Sequence, residues 1–185
     1  MPLSMICPRC WGSRHEPGGD LNACLRCGGL GEATDSLLGP DFRLSEFLIS
    51  QTAIRRGIPN DPPGEALGNL CVLIRALESF RPATGPLHVD SGYRSRSLNI
   101  AIGGAPNSAH VLGCAADLIP RVISHRDLFD LICKCGVAFD QLIWEYGAWI
   151  HFGVCGPGGV QRGERLMIFS SGGYEPFDPN DPRVR

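Results

Sequence analysis

A chain of 185 residues, 43% of them hydrophobic, is long enough to bury one sizeable core with a small satellite beside it. Its 17 lysines and arginines nearly match its 19 aspartates and glutamates, so the formal net charge is only −2. No global field draws such a chain to nucleic acid or to an anionic membrane, and neither partner is expected. The opening MPLSMICPRCWG lacks the features of a secretory signal, and no stretch approaches the length of a membrane span. The expectation is synthesis in the cytoplasm.

Residues 6–31 read ICPRCWGSRHEPGGDLNACLRCGGLG, two Cys-x-x-Cys knuckles joined by a polar, glycine-rich stretch. The segment has no apolar periodicity and cannot bury a core, so it needs a staple. Four thiolates, Cys7, Cys10, Cys24 and Cys27, around one structural zinc ion supply it. CPRCWGS and CLRCGGLG also resemble the knuckles of DnaJ-type chaperones and zinc ribbons. The nearby Arg9, Arg14 and Arg26 read as solvated charge. Of nine cysteines, the other five, Cys71, Cys114, Cys133, Cys135 and Cys155, are scattered. Without a signal peptide this pattern favours metal binding and buried free thiols over a disulfide framework. Residues 1–35 are therefore taken as a zinc knuckle, 41–171 as the main domain and 172–185 as a flexible tail.

In the main domain, Ser45 opens a helix with Phe47, Leu48 and Ile54 on its apolar side and Gly57 as its stop. A turn at Asn60 to Pro63 follows. Leu67, Leu70, Cys71, Ile74 and Leu77 recur at spacings of three and four, which predicts a buried helix over Gly64 to Phe80. Pro86 to Asp90 reads as a strand, and a short helix carries Leu98, Asn99 and Ile102 before Gly103 and Gly104. Ser108 to His110 is expected as loop and Leu112 to Ile119 as a strand. Ser124 with Asp127 makes a capping-box pattern ahead of a helix bearing Leu128, Phe129, Leu131 and Ile132. Gln141 to Glu145 and Trp149 to Val154 are strands joined by a three-residue hairpin, Tyr146 to Ala148, with glycine in the left-handed position. Another strand is expected at Arg165 to Ser170. Helices first and strands later argue for an α+β domain with a mostly antiparallel sheet.

Two histidines have unusual settings. His110 lies seven residues before Asp117, a carboxylate embedded in a small, apolar strand where burial without a partner is costly. His151 sits in WIHFGV. Alone, His151 reads as a hydrogen-bonded core residue and Asp117 as a salt-bridge partner of an arginine. Together, two histidines and a carboxylate form the ligand set of zinc sites that leave a fourth position for water.

The strings SGYRSRSLNIAIGGAPNSAHVLGCAADL and FDQLIWEYGAWIHFG resemble those of the zinc D-Ala-D-Ala carboxypeptidases and related peptidoglycan peptidases, over about Phe42 to Val154. The resemblance implies the fold those enzymes share with Hedgehog signalling domains. It implies that His110, Asp117 and His151 are ligands of a catalytic zinc ion, and that Arg94 holds a substrate carboxylate or a developing oxyanion. Tyr93, Ser108 and Trp149 are expected at the substrate. Guanidinium suits either role of Arg94, being planar, bidentate and always charged. The implied substrate is a peptidoglycan stem peptide, cut by a carboxypeptidase or L,D-endopeptidase, with a phage lysis or virion enzyme as one setting and a monomer as the expected state.

Many relatives carry an acid three positions before the second histidine, but here that position is Ala148. Glu145 is the substitute. In the hairpin it pairs opposite Trp149, on the face that also carries His151, so its side chain reaches a water beside that ligand. Asp140 is the next candidate. The absence of an acid at Ala148 favours the alternative reading, a zinc-binding or virion structural module without catalysis. No cysteine has a partner for nucleophilic work.

Overall fold

The computed structural model describes residues 40–156, 158–169 and 173–184, so the knuckle with Cys7, Cys10, Cys24 and Cys27 lies outside the described residues. Near the start of the domain a serine interrupts the chain. The Ser50 hydroxyl accepts the Ala53 N–H and starts a helix of its own, so the single helix expected from Ser45 to Gly57 is two, α1 (Leu44–Leu48) and α2 (Gln51–Arg56). That break turns the second piece. Ala53 takes the buried position, and Ile54, expected inside, is 67% exposed. Gly57 ends α2 in the left-handed conformation, as expected.

Helix α3 (Gly64–Thr84) buries Leu70, Leu73, Ile74, Leu77 and Phe80 and runs a turn beyond Phe80 before Gly85 stops it. Strand β1 (Leu87–Ser91) and helix α4 (Arg96–Ala101) follow, and the exposed Ile102 caps α4. The stretch Ala109–Leu112, expected partly as loop and partly as strand, is a 3-10 turn, so β2 begins later than expected, spanning Ala115–Pro120. Helix α5 (His125–Lys134) starts at the Ser124–Asp127 capping box. Strands β3 (Gln141–Glu145) and β4 (Trp149–Gly153) form the hairpin, and β5 (Glu164–Ile168) and β6 (Glu175–Pro176) complete the elements.

The six strands lie in the order β1-β2-β4-β3-β5-β6, antiparallel throughout except for β3 with β5. This is the expected α+β architecture with a mostly antiparallel sheet. Because side chains alternate along each strand, the sheet has two distinct faces. Ala116, Leu118, Leu142, Trp144, Ile150, Phe152 and Met167 point to one face and join the buried core with α3 and α5. Asp117, Ile143, Glu145, Trp149 and His151 point to the other. Among the described residues, no helix is long and apolar enough to cross a membrane.

The segment expected as a flexible tail packs against the domain from Gly173 to Val184. Glu175 and Pro176 pair with β5, Phe177 stacks on Phe129 at 3.9 Å, Arg126 donates to the Pro179 carbonyl, and Val184 is buried. The glycine, proline and aspartate content suits its turns, while these few apolar contacts hold it in place.

Gly113 and Gly57 separate two effects of a methyl group. Both have positive φ, 73° and 61°, but an added Cβ at Gly57 meets open space whereas at Gly113 it meets the Ala66 backbone of α3. Gly57→Ala is expected to cost about 1 kcal/mol of conformational strain. Gly113→Ala should cost about 1–3 kcal/mol more, from forced separation of the 3-10 turn and α3. Urea unfolding of both variants checks this, and equal losses would contradict the close approach.

Candidate metal centre and cleft

Adjacent strands bring the site residues into one row. Register places Ser91 of β1 opposite Asp117 of β2, Asp117 opposite His151 of β4, and His151 opposite Ile143 of β3. A bulge between Val89 and Ser91 re-aims the end of β1, as bulges beside functional sites commonly do. His110 arrives from outside the sheet on the 3-10 turn. Its backbone is pinned there: the Arg94 N–H donates to the His110 carbonyl, and the Asn69 amide donates to the Leu112 carbonyl at 2.8 Å.

Three donor atoms converge. His110 Nε2 is 3.2 Å from both His151 Nδ1 and Asp117 Oδ1, and His151 Nδ1 is 2.9 Å from Asp117 Oδ1. All three residues are buried, with Asp117 5% exposed. His110 Nδ1 lies 2.7 Å from the Gly92 carbonyl, which can only accept, so the proton sits on Nδ1. The Nε2 lone pair therefore points into the cluster, the arrangement that orients a metal-binding histidine through its other nitrogen. Burial holds the His110 imidazole below its ordinary pKa against the pull of the Asp117 carboxylate, which keeps the ring neutral and able to ligate. Burial alone would raise the Asp117 pKa, but the hydrogen bond with His151 works against it, and the carboxyl is held far below the usual range.

These atoms fit a zinc ion. Bonds of about 2.0–2.1 Å in a tetrahedron space the ligand atoms about 3.3–3.4 Å apart, and the cluster is only slightly contracted from that. The donor set is two imidazoles and one carboxylate, and three such donors would leave one tetrahedral position for water. Among the described residues this is the one group of three or more His, Cys, Asp or Glu gathered closely enough to hold a metal ion.

The cleft has a volume of about 360 Å³. It is lined by Gly103, Gly104, Ala105, Asn107 and Ser108, by Glu145, Tyr146 and Tyr174, and by Arg94. Arg94 donates from Nη2 to Asp117 Oδ2 at 2.8 Å and from Nε to Ser91 Oγ at 2.9 Å. Asp117 is thus an arginine's partner and a member of the cluster at once: one carboxylate oxygen meets Arg94 while the other faces the histidines.

Glu145 pairs opposite Trp149, as the hairpin predicts, and its Oε2 accepts the Trp149 indole N–H at 3.0 Å. Burial pushes the Glu145 carboxyl up, partly offset by His151. Ala148 is exposed at the hairpin tip. Asp140, the reserve candidate for a base, is tied to Arg162 at 2.6 and 2.8 Å, an ion pair that lowers its pKa, and does not line the cleft.

Two expectations for substrate contacts are corrected. Tyr93 is 6% exposed in the apolar core, fixed by its N–H donating to the Phe47 carbonyl, and does not line the cleft. Trp149 supports Glu145 instead of lining the cleft. The five cysteines in the described residues are free thiols, and burial pushes Cys114 up to about 11, which leaves it no nucleophile at neutral pH. Sequence reasoning missed Tyr146, whose φ of 57° is left-handed, and Tyr174. The hairpin length could have signalled the first; nothing in the composition of the tail signals the second.

A family model for peptidase M15 matches residues 40–153. The zinc D-Ala-D-Ala carboxypeptidase of Streptomyces albus G is 44% identical over 55 residues, 29% of this chain and 22% of that protein. The match thus spans about a fifth of that relative's length.

Asp117→Asn keeps the shape of the ligand and removes its charge. Loss of a mere supporting contact costs about 10–100-fold in metal affinity, so the loss here should exceed 100-fold in competition with a zinc chelator. Unchanged affinity would remove Asp117 from the ligand set.

Proposed function

The chain belongs to the peptidase M15 family, and from that premise we propose that it is a zinc-dependent hydrolase of peptide bonds in peptidoglycan stem peptides. The observation that carries this reading is the convergence of His110 Nε2, Asp117 Oδ1 and His151 Nδ1 beside a cleft that also holds the Glu145 carboxylate.

His110, Asp117 and His151 would hold the ion. When bound there, zinc supplies Lewis acidity, acidifying water and polarising a scissile carbonyl. Glu145 takes the proton of the attacking water and delivers it to the leaving amine. The indole N–H of Trp149 keeps one carboxylate oxygen of Glu145 fixed and favours its ionised form. Arg94 uses two of its five N–H donors on Asp117 and Ser91, and its remaining donors are proposed to hold the substrate carboxylate or the developing oxyanion. Ser108, which also lines the cleft, is proposed to orient the peptide. A second, structural zinc ion is proposed at Cys7, Cys10, Cys24 and Cys27 on the strength of their spacing.

A non-catalytic module is the second reading, favoured by the exposed Ala148 where many relatives carry an acid and by the Arg94 pair that already neutralises part of Asp117. Digestion of purified peptidoglycan, with the products weighed, separates the two. Release of single D-alanine marks a carboxypeptidase, internal cuts mark an endopeptidase, and no product supports the inert module.

Glu145→Gln should lower turnover by about 10²–10⁴-fold with zinc content unchanged. As a base, Glu145 works only when ionised, so activity falls as pH drops through its pKa. Because burial raises that pKa, the acid limb lies above the ordinary glutamate range. Trp149→Phe removes a donor that favours the carboxylate, so it should lower turnover by roughly tenfold and move the limb to still higher pH. A Trp149→Phe profile superposable on the wild type would exclude the indole from this role.

A further inference from the structure

The family match ends at Gly153, yet the cleft does not. Register explains how a later segment reaches it. Trp149 pairs with Glu145, Glu145 with Ile168 of β5, and Met167 pairs with Glu175 of β6. Carried one residue on, the same antiparallel register sets Tyr174 beside Ile168. Residues paired across strands point to one face, so Tyr174 lies in the row of Glu145 and on the face of the metal centre, and its side chain lines the cleft.

Tyr146 meets it there. This residue adopts φ 57°, a conformation costly for a side chain with a Cβ. The Tyr146 N–H is held by the Ile168 carbonyl at 2.9 Å, and its ring packs edge-on against Trp149 at 5.6 Å. Both tyrosines stay open to solvent, at 47% and 59%, so neither serves the core. The same cleft is lined by Gly103, Gly104, Ala105 and Ser108, whose short side chains leave room for a peptide to lie flat.

We propose that Tyr174 and Tyr146 form an aromatic wall against which a peptide with small side chains is held flat, so that the segment beyond the family match is part of the substrate site. The proposal rests on the peptidase reading of the same cleft. The anchors of the segment, Phe177 on Phe129 and Arg183 over Phe169 with its ion pair to Glu175, fix Tyr174 as a standing wall.

The test uses the full chain and a synthetic peptide ending in D-Ala-D-Ala. Tyr174→Ala should raise KM about tenfold, the scale of an aromatic contact, with kcat, zinc content and melting temperature close to wild type. Tyr174→Phe, which keeps the ring, should restore most of the loss. Calorimetric binding of the same peptide to zinc-loaded Glu145→Gln protein, with and without Tyr174→Ala, reads the wall without turnover. Weaker binding on loss of the ring supports it even if the wild-type chain cuts nothing, which would sink the peptidase reading alone. An unchanged KM and Kd, no binding at all, or a Phe variant as impaired as the Ala variant overturns it.

Discussion

A carboxylate left 5% exposed on the second strand of a six-stranded sheet must be satisfied by partners, and at Asp117 this happens from several directions at once. Arg94 takes one oxygen, His151 approaches the other from the neighbouring strand, and His110 comes down from the 3-10 turn. Each of those groups is itself held. The Arg94 guanidinium is braced by Ser91 at the bulge, His110 by the Gly92 carbonyl, and the turn by Asn69 of α3. The bulge, the close approach at Gly113 and the start of β2 thus belong to one requirement, the satisfaction of one buried charge.

The two faces of the sheet divide the work. The face toward α3 and α5 is apolar and packs the core, while the other carries the candidate metal donors, Glu145 and aromatic rings. Alternation makes this division compulsory: Ala116 and Leu118 must be buried on the helix side if Asp117 is to face the cleft. Glu145 gains from the same geometry. The strand pairing that sets it opposite Trp149 supplies both its place beside the metal centre and the indole donor that fixes its oxygen.

Much of this was legible in the chain, for reasons that differ by residue. The Ser124–Asp127 capping box and the α3 stripe are local patterns, and local chemistry decided them. His110, Asp117 and His151 stood out because polar groups in apolar settings need partners, and the register of the hairpin could be deduced from its loop length. What stayed hidden depended on long-range packing. Ile54 is exposed because a single serine hydroxyl restarts the helix, and Tyr93 is buried because its neighbours fold over it. In the last segment the many turn-forming residues masked two apolar anchors, Phe177 and Val184, whose partners lie in other elements.

Three side chains from two strands and a turn converge on one candidate metal site. A crystal structure of the zinc-loaded protein, with diffraction recorded on both sides of the zinc absorption edge, tests it most directly. The account predicts an anomalous peak within about 2.0–2.2 Å of His110 Nε2, Asp117 Oδ1 and His151 Nδ1, with no fourth protein ligand and the open side toward Glu145. A zinc-loaded crystal with no peak among those atoms, or with a fourth side chain closing the site, would contradict it.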